Sequence, residues 1–215
     1  MQTELFDPHT LPARQSLGDG AVVLRDYSRP RDDDITACIR DITAAAPFRH
    51  LQTPGGFQMA VAMTSCGSYG WFSDRQGYRY VTHDPSSGLQ WPAMPRQFYE
   101  LARAAAAAAG FSNFVPDSCL INRYLPGTKL SLHQDIDETN FAAPIVSVSL
   151  GVPATFLFGG AKRNAPCQHV ALTHGDIVVW GGLARRHYHG VLPIKLAHHP
   201  FADEVRINLT FRKAR

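Results

Sequence analysis

The sequence predicts a mainly β fold, two stacked sheets in a jelly roll with flanking helices, and three observations carry that prediction. Short β-prone runs recur at regular spacing: 144–150 alternates cleanly, 154–158 ends at Gly159-Gly160, and 175–180 ends at Gly181-Gly182. Short strands divided by glycine-rich turns are the pattern of an antiparallel double sheet. Residues 206–212 alternate strictly, so Arg206, Asn208, Thr210 and Arg212 share one strand face and Ile207, Leu209 and Phe211 the other. The alanine run 104–109 has high helix propensity and Gly110 suits the C′ position, so 95–110 reads as a helix.

The other elements follow in chain order. Residues 1–20 mix proline, glycine and polar residues without a period and read as a loose leader. Residues 21–25 form a short strand. Asp32-Asp33-Asp34 open a helix to about Ala46, where acidic side chains suit the N-terminal dipole, and Pro47 ends it. From 47 to 92 glycines punctuate short β-prone pieces, among them 59–63 and 77–81, in a stretch dense in aromatics (Phe57, Tyr69, Trp71, Phe72, Tyr78, Tyr80, Trp91). This reads as a hairpin-rich lid, most of its aromatics filling a small satellite core. Residues 93–215 form the jelly-roll core. With no internal repeat and no linker, 1–215 reads as a single domain.

Composition narrows the class. A hydrophobic content of 45% with 18% charged residues in 215 positions suits a globular chain able to bury a core. No apolar run reaches the ~18 residues of a membrane span, and the first residues lack a basic n-region before an apolar core. Four scattered cysteines without C-x-x-C read as reduced thiols, and the expected compartment is cytoplasmic. The net charge of +3 is compatible with nucleic acid. Arg75, Arg79, Lys129, Lys162, Arg163, Arg185 and Arg186 are the cations available for a phosphate track.

Chemistry concentrates around Asn122-Arg123-Tyr124 and Leu132-His133-Gln134-Asp135-Ile136-Asp137. The run 119–124 is β-prone and Pro126-Gly127 makes a turn, so the region reads as a β-turn-β pair. On an extended strand His133 and Asp135 point to one face. An imidazole and a carboxylate so placed supply two ligands of a 2-His-1-carboxylate site, the geometry of non-haem Fe(II) and O₂ chemistry. Same-face neighbours His187 and His189 both reach for the third position, and Gly190 after His189 allows a close backbone approach to a metal. His174, in a turn, reads as solvent-facing, and His198 and His199 as loop residues. Two arginines on the polar face of 206–212 suit a dicarboxylate, because a guanidinium donates two parallel hydrogen bonds.

Together Asn122-Arg123-Tyr124, His133-Gln134-Asp135-Ile136-Asp137, His189 and Arg206-Ile207-Asn208-Leu209-Thr210-Phe211-Arg212 resemble the AlkB family of Fe(II)/2-oxoglutarate-dependent dioxygenases, which dealkylate nucleic-acid bases. Thr53-Pro54-Gly55-Gly56-Phe57, Gly70-Trp71 and Gly77-Tyr78 are similar to its bacterial type, and the likeness spans roughly 47–212. The resemblance implies the double-stranded β-helix form of the jelly roll and Fe(II) on His133, Asp135 and His189, leaving His187 structural. It implies 2-oxoglutarate and O₂ as co-substrates, with Arg206, Asn208 and Tyr124 at the far carboxylate and Arg212 and Asn122 nearer the metal. It further implies oxidative demethylation of 1-methyladenine and 3-methylcytosine in single-stranded DNA, with duplex DNA and RNA left open, and a monomeric enzyme. Trp71 would stack on the base, Tyr78 would contact the backbone, Asp137 would accept from the exocyclic amine, and Met63, Lys129 and Arg163 would complete the substrate contacts. Ile136 stands where the family has a cation and Phe57 where it has a tyrosine. The competing readings are an oxygenase of a protein or small molecule, and a catalytically silent metal-binding jelly roll.

Overall fold

The computed structural model of the chain describes residues 12–215. Its centre is β9 (Ile145–Gly151), buried along its whole length because sheet, helix and opposing sheet enclose it. Around it an antiparallel sheet of eight strands runs in the order β1 (Arg14–Gly18), β2 (Ala21–Leu24), β12 (Ile177–Trp180), β9, β14 (Arg206–Arg212), β7 (Ser118–Tyr124), β4 (Gln58–Gly67), β3 (Arg49–Gln52). A second sheet has the order β11 (Gln168–Leu172), β10 (Ala154–Phe158), β13 (His189–Val191), β8 (Leu130–His133). A hairpin of β5 (Gly70–Asp74) and β6 (Gly77–Val81) pairs with neither sheet but packs against the large one, with Phe72 in its core.

The core between the two large sheets holds Trp180, Val178, Phe156, Phe158 and Leu172. On the outer face of the eight-stranded sheet lie α1 (Asp32–Ala45) and α2 (Arg96–Ala108). Ile35, Cys38, Ile39 and Ile42 recur at helical spacing and turn α1 inward. The alanines of α2 let it lie close, and Phe98 meets Phe211 edge-to-face with centroids 5.7 Å apart. The apolar half of the 206–212 alternation is thus spent on the helices, which leaves its polar half facing the interior. Gly110 (φ +100°) ends α2 in a Schellman turn: Phe111 N–H donates to Ala106 O (2.8 Å) and Gly110 N–H to Ala107 O (3.0 Å).

The structure corrects four expectations. Part of the supposed leader, 14–18, is edge strand β1, while residues 1–11 of that leader lie outside the described residues. β7 and β8 do not pair. Both edges of β7 are taken by β14 and β4, and the Leu125–Thr128 turn (Thr128 N–H to Leu125 O 3.0 Å, Gly127 φ +83°) carries the chain from one sheet to the other. β3 and β4 belong to the large sheet, leaving β5 and β6 as the free hairpin of the 47–92 stretch. His174 is buried, its Nδ1 accepting from Gly151 N–H (3.0 Å) and its Nε2 facing Asp32 (2.8 Å). Among the described residues no helix is long and apolar enough to cross a membrane.

Candidate metal centre and co-substrate cavity

β8 and β13 pair with His133 opposite His189, which brings the two imidazoles to 4.4 Å between centroids. Asp135 lies two residues beyond the end of β8 rather than on it, yet its carboxylate turns back to them: Nε2 of His133 is 3.6 Å from Oδ1, and Nε2 of His189 3.7 Å from Oδ2. All three donor atoms lie within 4.8 Å of one another. These separations are too long for hydrogen bonds but suit donors each about 2.0–2.2 Å from one shared ion. Both Nδ1 atoms face backbone carbonyls, Ser131 O at 2.9 Å and His187 O at 3.0 Å. With Nδ1–H donating there, each Nε2 keeps its lone pair for a metal.

Electrostatics prepare the same donors. Burial, reinforced by His133, lowers the His189 pKa to about 4, so the ring is neutral near pH 7. Burial alone would raise the Asp135 carboxyl. Arg212, donating through Nε (3.0 Å) and Nη2 (2.7 Å) to Oδ2, joins the two imidazoles in holding it well below the usual range. His187 stands outside the trio, before β13 begins, with its ring 5.6 Å from that of Phe158. The tight fit at Gly190 has a different cause from the expected one. A Cβ there would meet Leu130 O of the neighbouring strand at 2.7 Å, so the glycine serves strand packing.

The polar face of β14 lines a second region. Arg206 is buried, and its Nη2 donates to Ser149 Oγ (3.0 Å), but Nε and Nη1 have no partner among the described residues. Burial lowers its pKa, outweighing the opposite pull of Tyr124 and Asp176. Tyr124, opposite it in register, is pushed up to about 12 by burial and keeps its hydroxyl proton. Asn208, opposite Asn122, donates to Ser147 Oγ (2.8 Å) and Val148 O (2.9 Å), and Thr210 donates to its Oδ1 (2.8 Å). A buried guanidinium with two unpartnered nitrogens is costly unless an anion completes it. The residues therefore fit a carboxylate ligand at this strand face.

On the hairpin, Trp71 stacks on Tyr78 (5.6 Å, 15°) and its Nε1–H donates to Asp137 Oδ2 (2.8 Å). Tyr78 is 47% exposed, whereas Met63 is buried on β4 opposite Asn122. Lys129 and Arg163 are exposed, with the Arg163 guanidinium 5.8 Å from the Tyr188 ring. Arg75, Lys162 and Arg186 are exposed as well. Arg79 is paired with Asp74 (2.7 Å), and Arg185 is buried against Glu138 (3.1 Å), which removes Arg185 from any surface track.

Ser147 and Ser149, which accept from Asn208 and Arg206, are functional-face residues absent from the sequence-based expectation. The alternation of 144–150 puts both on one face, so a signal for them existed. Glu138 and Arg185 had none, since their buried pairing joins segments 47 residues apart.

Residues 20–212 match the family described as the 2OG-Fe(II) oxygenase superfamily. The chain is 53% identical over 203 residues to the alpha-ketoglutarate-dependent dioxygenase AlkB of Escherichia coli K12, covering 94% of each chain. It is 43% identical over 173 residues to an AlkB homolog of Caulobacter vibrioides, covering 79% of this chain and 76% of the other. The solved structure of OsALKBH1 superposes with a TM-score of 0.79 at 31% identity, over 93% of this chain and 99% of that one.

Proposed function

The chain belongs to the 2OG-Fe(II) oxygenase superfamily and to the AlkB family within it, and from that premise we propose how its residues divide the oxidative demethylation of alkylated nucleic acids. Fe(II) with O₂ and 2-oxoglutarate supplies the oxidation: the keto acid leaves as succinate and CO₂, and an N-methyl group leaves as formaldehyde after hydroxylation. His133, Asp135 and His189 hold the iron. Arg206 takes the far carboxylate of 2-oxoglutarate, helped by the Tyr124 hydroxyl and Asn208. Asn122 and Arg212 serve the metal end, Arg212 by gripping Asp135.

Trp71 offers a face for the methylated base, and Asp137, an acceptor only, suits the exocyclic amine of 1-methyladenine or 3-methylcytosine. Tyr78, Met63, Lys129 and Arg163 complete the substrate contacts. The methylated edge is the pairing edge, so the base enters from single-stranded DNA or flipped from a stack. The protein works as a cytoplasmic monomer and one domain, in which β3 and β4 extend the core sheet and the β5–β6 hairpin is the part of 47–92 that serves as the lid over the 93–215 core.

One observation carries this reading. The donor trio lies beside a polar strand face on which one arginine grips the trio's carboxylate while the other, buried, keeps two nitrogens without a partner among the described residues. Anaerobic loading with Fe(II), then O₂ and oligonucleotides bearing 1-methyladenine or 3-methylcytosine, tests it. One formaldehyde per succinate is expected. Succinate without formaldehyde on any methylated oligonucleotide would move the substrate to a protein or small molecule, and neither product would leave a silent metal-binding fold.

A further inference from the structure

Residues Trp71 and Tyr80 are direct cross-strand partners in the β5–β6 hairpin, so their side chains leave the same face. Each binds one of two successive carboxylates just past Asp135. Trp71 Nε1–H donates to Asp137 (2.8 Å), and the Tyr80 hydroxyl donates to Glu138 Oε1 (2.6 Å). Glu138 is buried and also takes Arg185 Nη2 at Oε2 (3.1 Å) and faces Arg212 Nε from Oε1 (3.3 Å). Both arginines continue to Asp135, Arg185 Nη1 donating to its backbone carbonyl (2.8 Å) and Arg212 to its carboxylate (2.7 Å). Every polar group on the path from hairpin to Asp135 is thus a direct partner of the next.

We propose that Tyr80 and Glu138 are positioning residues that clasp the β5–β6 hairpin to the Asp135 loop, so that filling the metal site and ordering the base-stacking lid favour one another. The physical basis is that a buried carboxylate shared between two guanidiniums and a phenol holds its partners in one arrangement. A shift of the Asp135 carboxylate toward a metal alters Arg212, then Glu138, then the phenol. Glu138 and Tyr80 are both buried, Glu138 against Tyr80, Arg185 and Arg212, and Tyr80 beside its strand partner Trp71. The inference rests on Asp135 as an iron ligand.

Hydrogen exchange of the hairpin amides 70–81 tests it, with Mn(II) as a redox-inert probe together with 2-oxoglutarate. In the unaltered chain, addition of the pair should slow exchange across the hairpin. Tyr80→Phe removes a single hydrogen bond, equivalent to a factor of about 2–12, and should abolish most of that slowing while β8 and β13 remain protected. Glu138→Gln should do the same; should it fail to fold, Tyr80→Phe decides alone. Hairpin slowing that persists in Tyr80→Phe, or is absent in the unaltered chain, overturns the clasp, as does faster exchange spread evenly over the whole chain. Failure of the underlying site looks different: His133→Ala would then still bind Mn(II) as tightly as the unaltered chain.

Discussion

Arg206 and Arg212 share a strand face and a residue type, yet the structure gives them different tasks. Arg212 gives Nε and Nη2 to Asp135 and leaves Nη1 unpartnered among the described residues, whereas Arg206 leaves both Nε and Nη1 unpartnered there. Lysine retains charge but not the planar fork. Arg206→Lys should therefore raise the 2-oxoglutarate KM by about tenfold or more, on the order of 1.5–3 kcal/mol for a charge-assisted hydrogen bond, with the smaller effect on kcat. Arg212→Lys should instead loosen Asp135 and appear as weaker Fe(II) retention. Steady-state kinetics beside metal titration separate the two, and identical profiles would erase the distinction. His133→Ala, Asp135→Ala and His189→Ala should each abolish turnover and metal binding, and His187→Ala should keep most of both. Loss of iron in His187→Ala with retention in His189→Ala would reverse the ligand assignment. The H-x-D spacing and the 206–212 alternation made both arginines and two of the trio legible from sequence. What distinguishes Arg206 from Arg212 was not legible, because their partners are 57 and 77 residues away in the chain.

At the scale of elements, periodicity was legible and partnership was not. Alternation in 206–212 predicted both what faces inward and what meets the helices, since a period of two is a local property. Which sheet a strand joins depends on edges supplied by distant segments, hence the error over β7 and β8. β1 escaped because an edge strand with Leu17 as its one buried residue carries little hydrophobic pattern. The hairpin shows how closely an element is fitted: a Cβ on Gly70 would meet the Trp91 indole at 2.2 Å. Gly70→Ala should therefore displace β5–β6, weakening methylated-oligonucleotide binding strongly and Mn(II) binding only by the small factor that the clasp couples to it. Loss of metal binding in the same variant would show that the hairpin supports the whole fold. Trp71→Ala removes the stacking face, and truncation there should cost about 1–3 kcal/mol of oligonucleotide binding. Substrate-independent succinate release should persist in that variant. Equal loss of binding and of succinate release would assign Trp71 to folding.

For the molecule as a whole, the surface charge left after internal pairing sets how it meets a polyanion. The net charge is +3, but several arginines are consumed inside or along the surface: Arg25 on Asp176, Arg49 on Asp84, Arg79 on Asp74, Arg185 on Glu138, Arg212 on Asp135. Lys129, Arg163, Arg75, Lys162 and Arg186 remain exposed, dispersed over several loops rather than along one helix or groove. Each phosphate neutralised on a single strand contributes about −0.7 to the slope of log K against log salt. If two to four of these cations meet phosphates together, the slope should lie roughly between −1.5 and −3. Such shallow dependence would leave most specificity to the base contacts proposed for Trp71 and Asp137. Lys129→Ala and Arg163→Ala should each make the slope shallower by about 0.7, by the same counterion arithmetic. Arg185→Ala should behave oppositely: the slope stays, but the melting temperature falls because Glu138 loses a buried partner. Fluorescence anisotropy of a labelled methylated oligonucleotide over a range of salt concentrations measures all three. An unchanged slope in Lys129→Ala and Arg163→Ala, or a shallower one in Arg185→Ala, would place the phosphate path elsewhere on the surface.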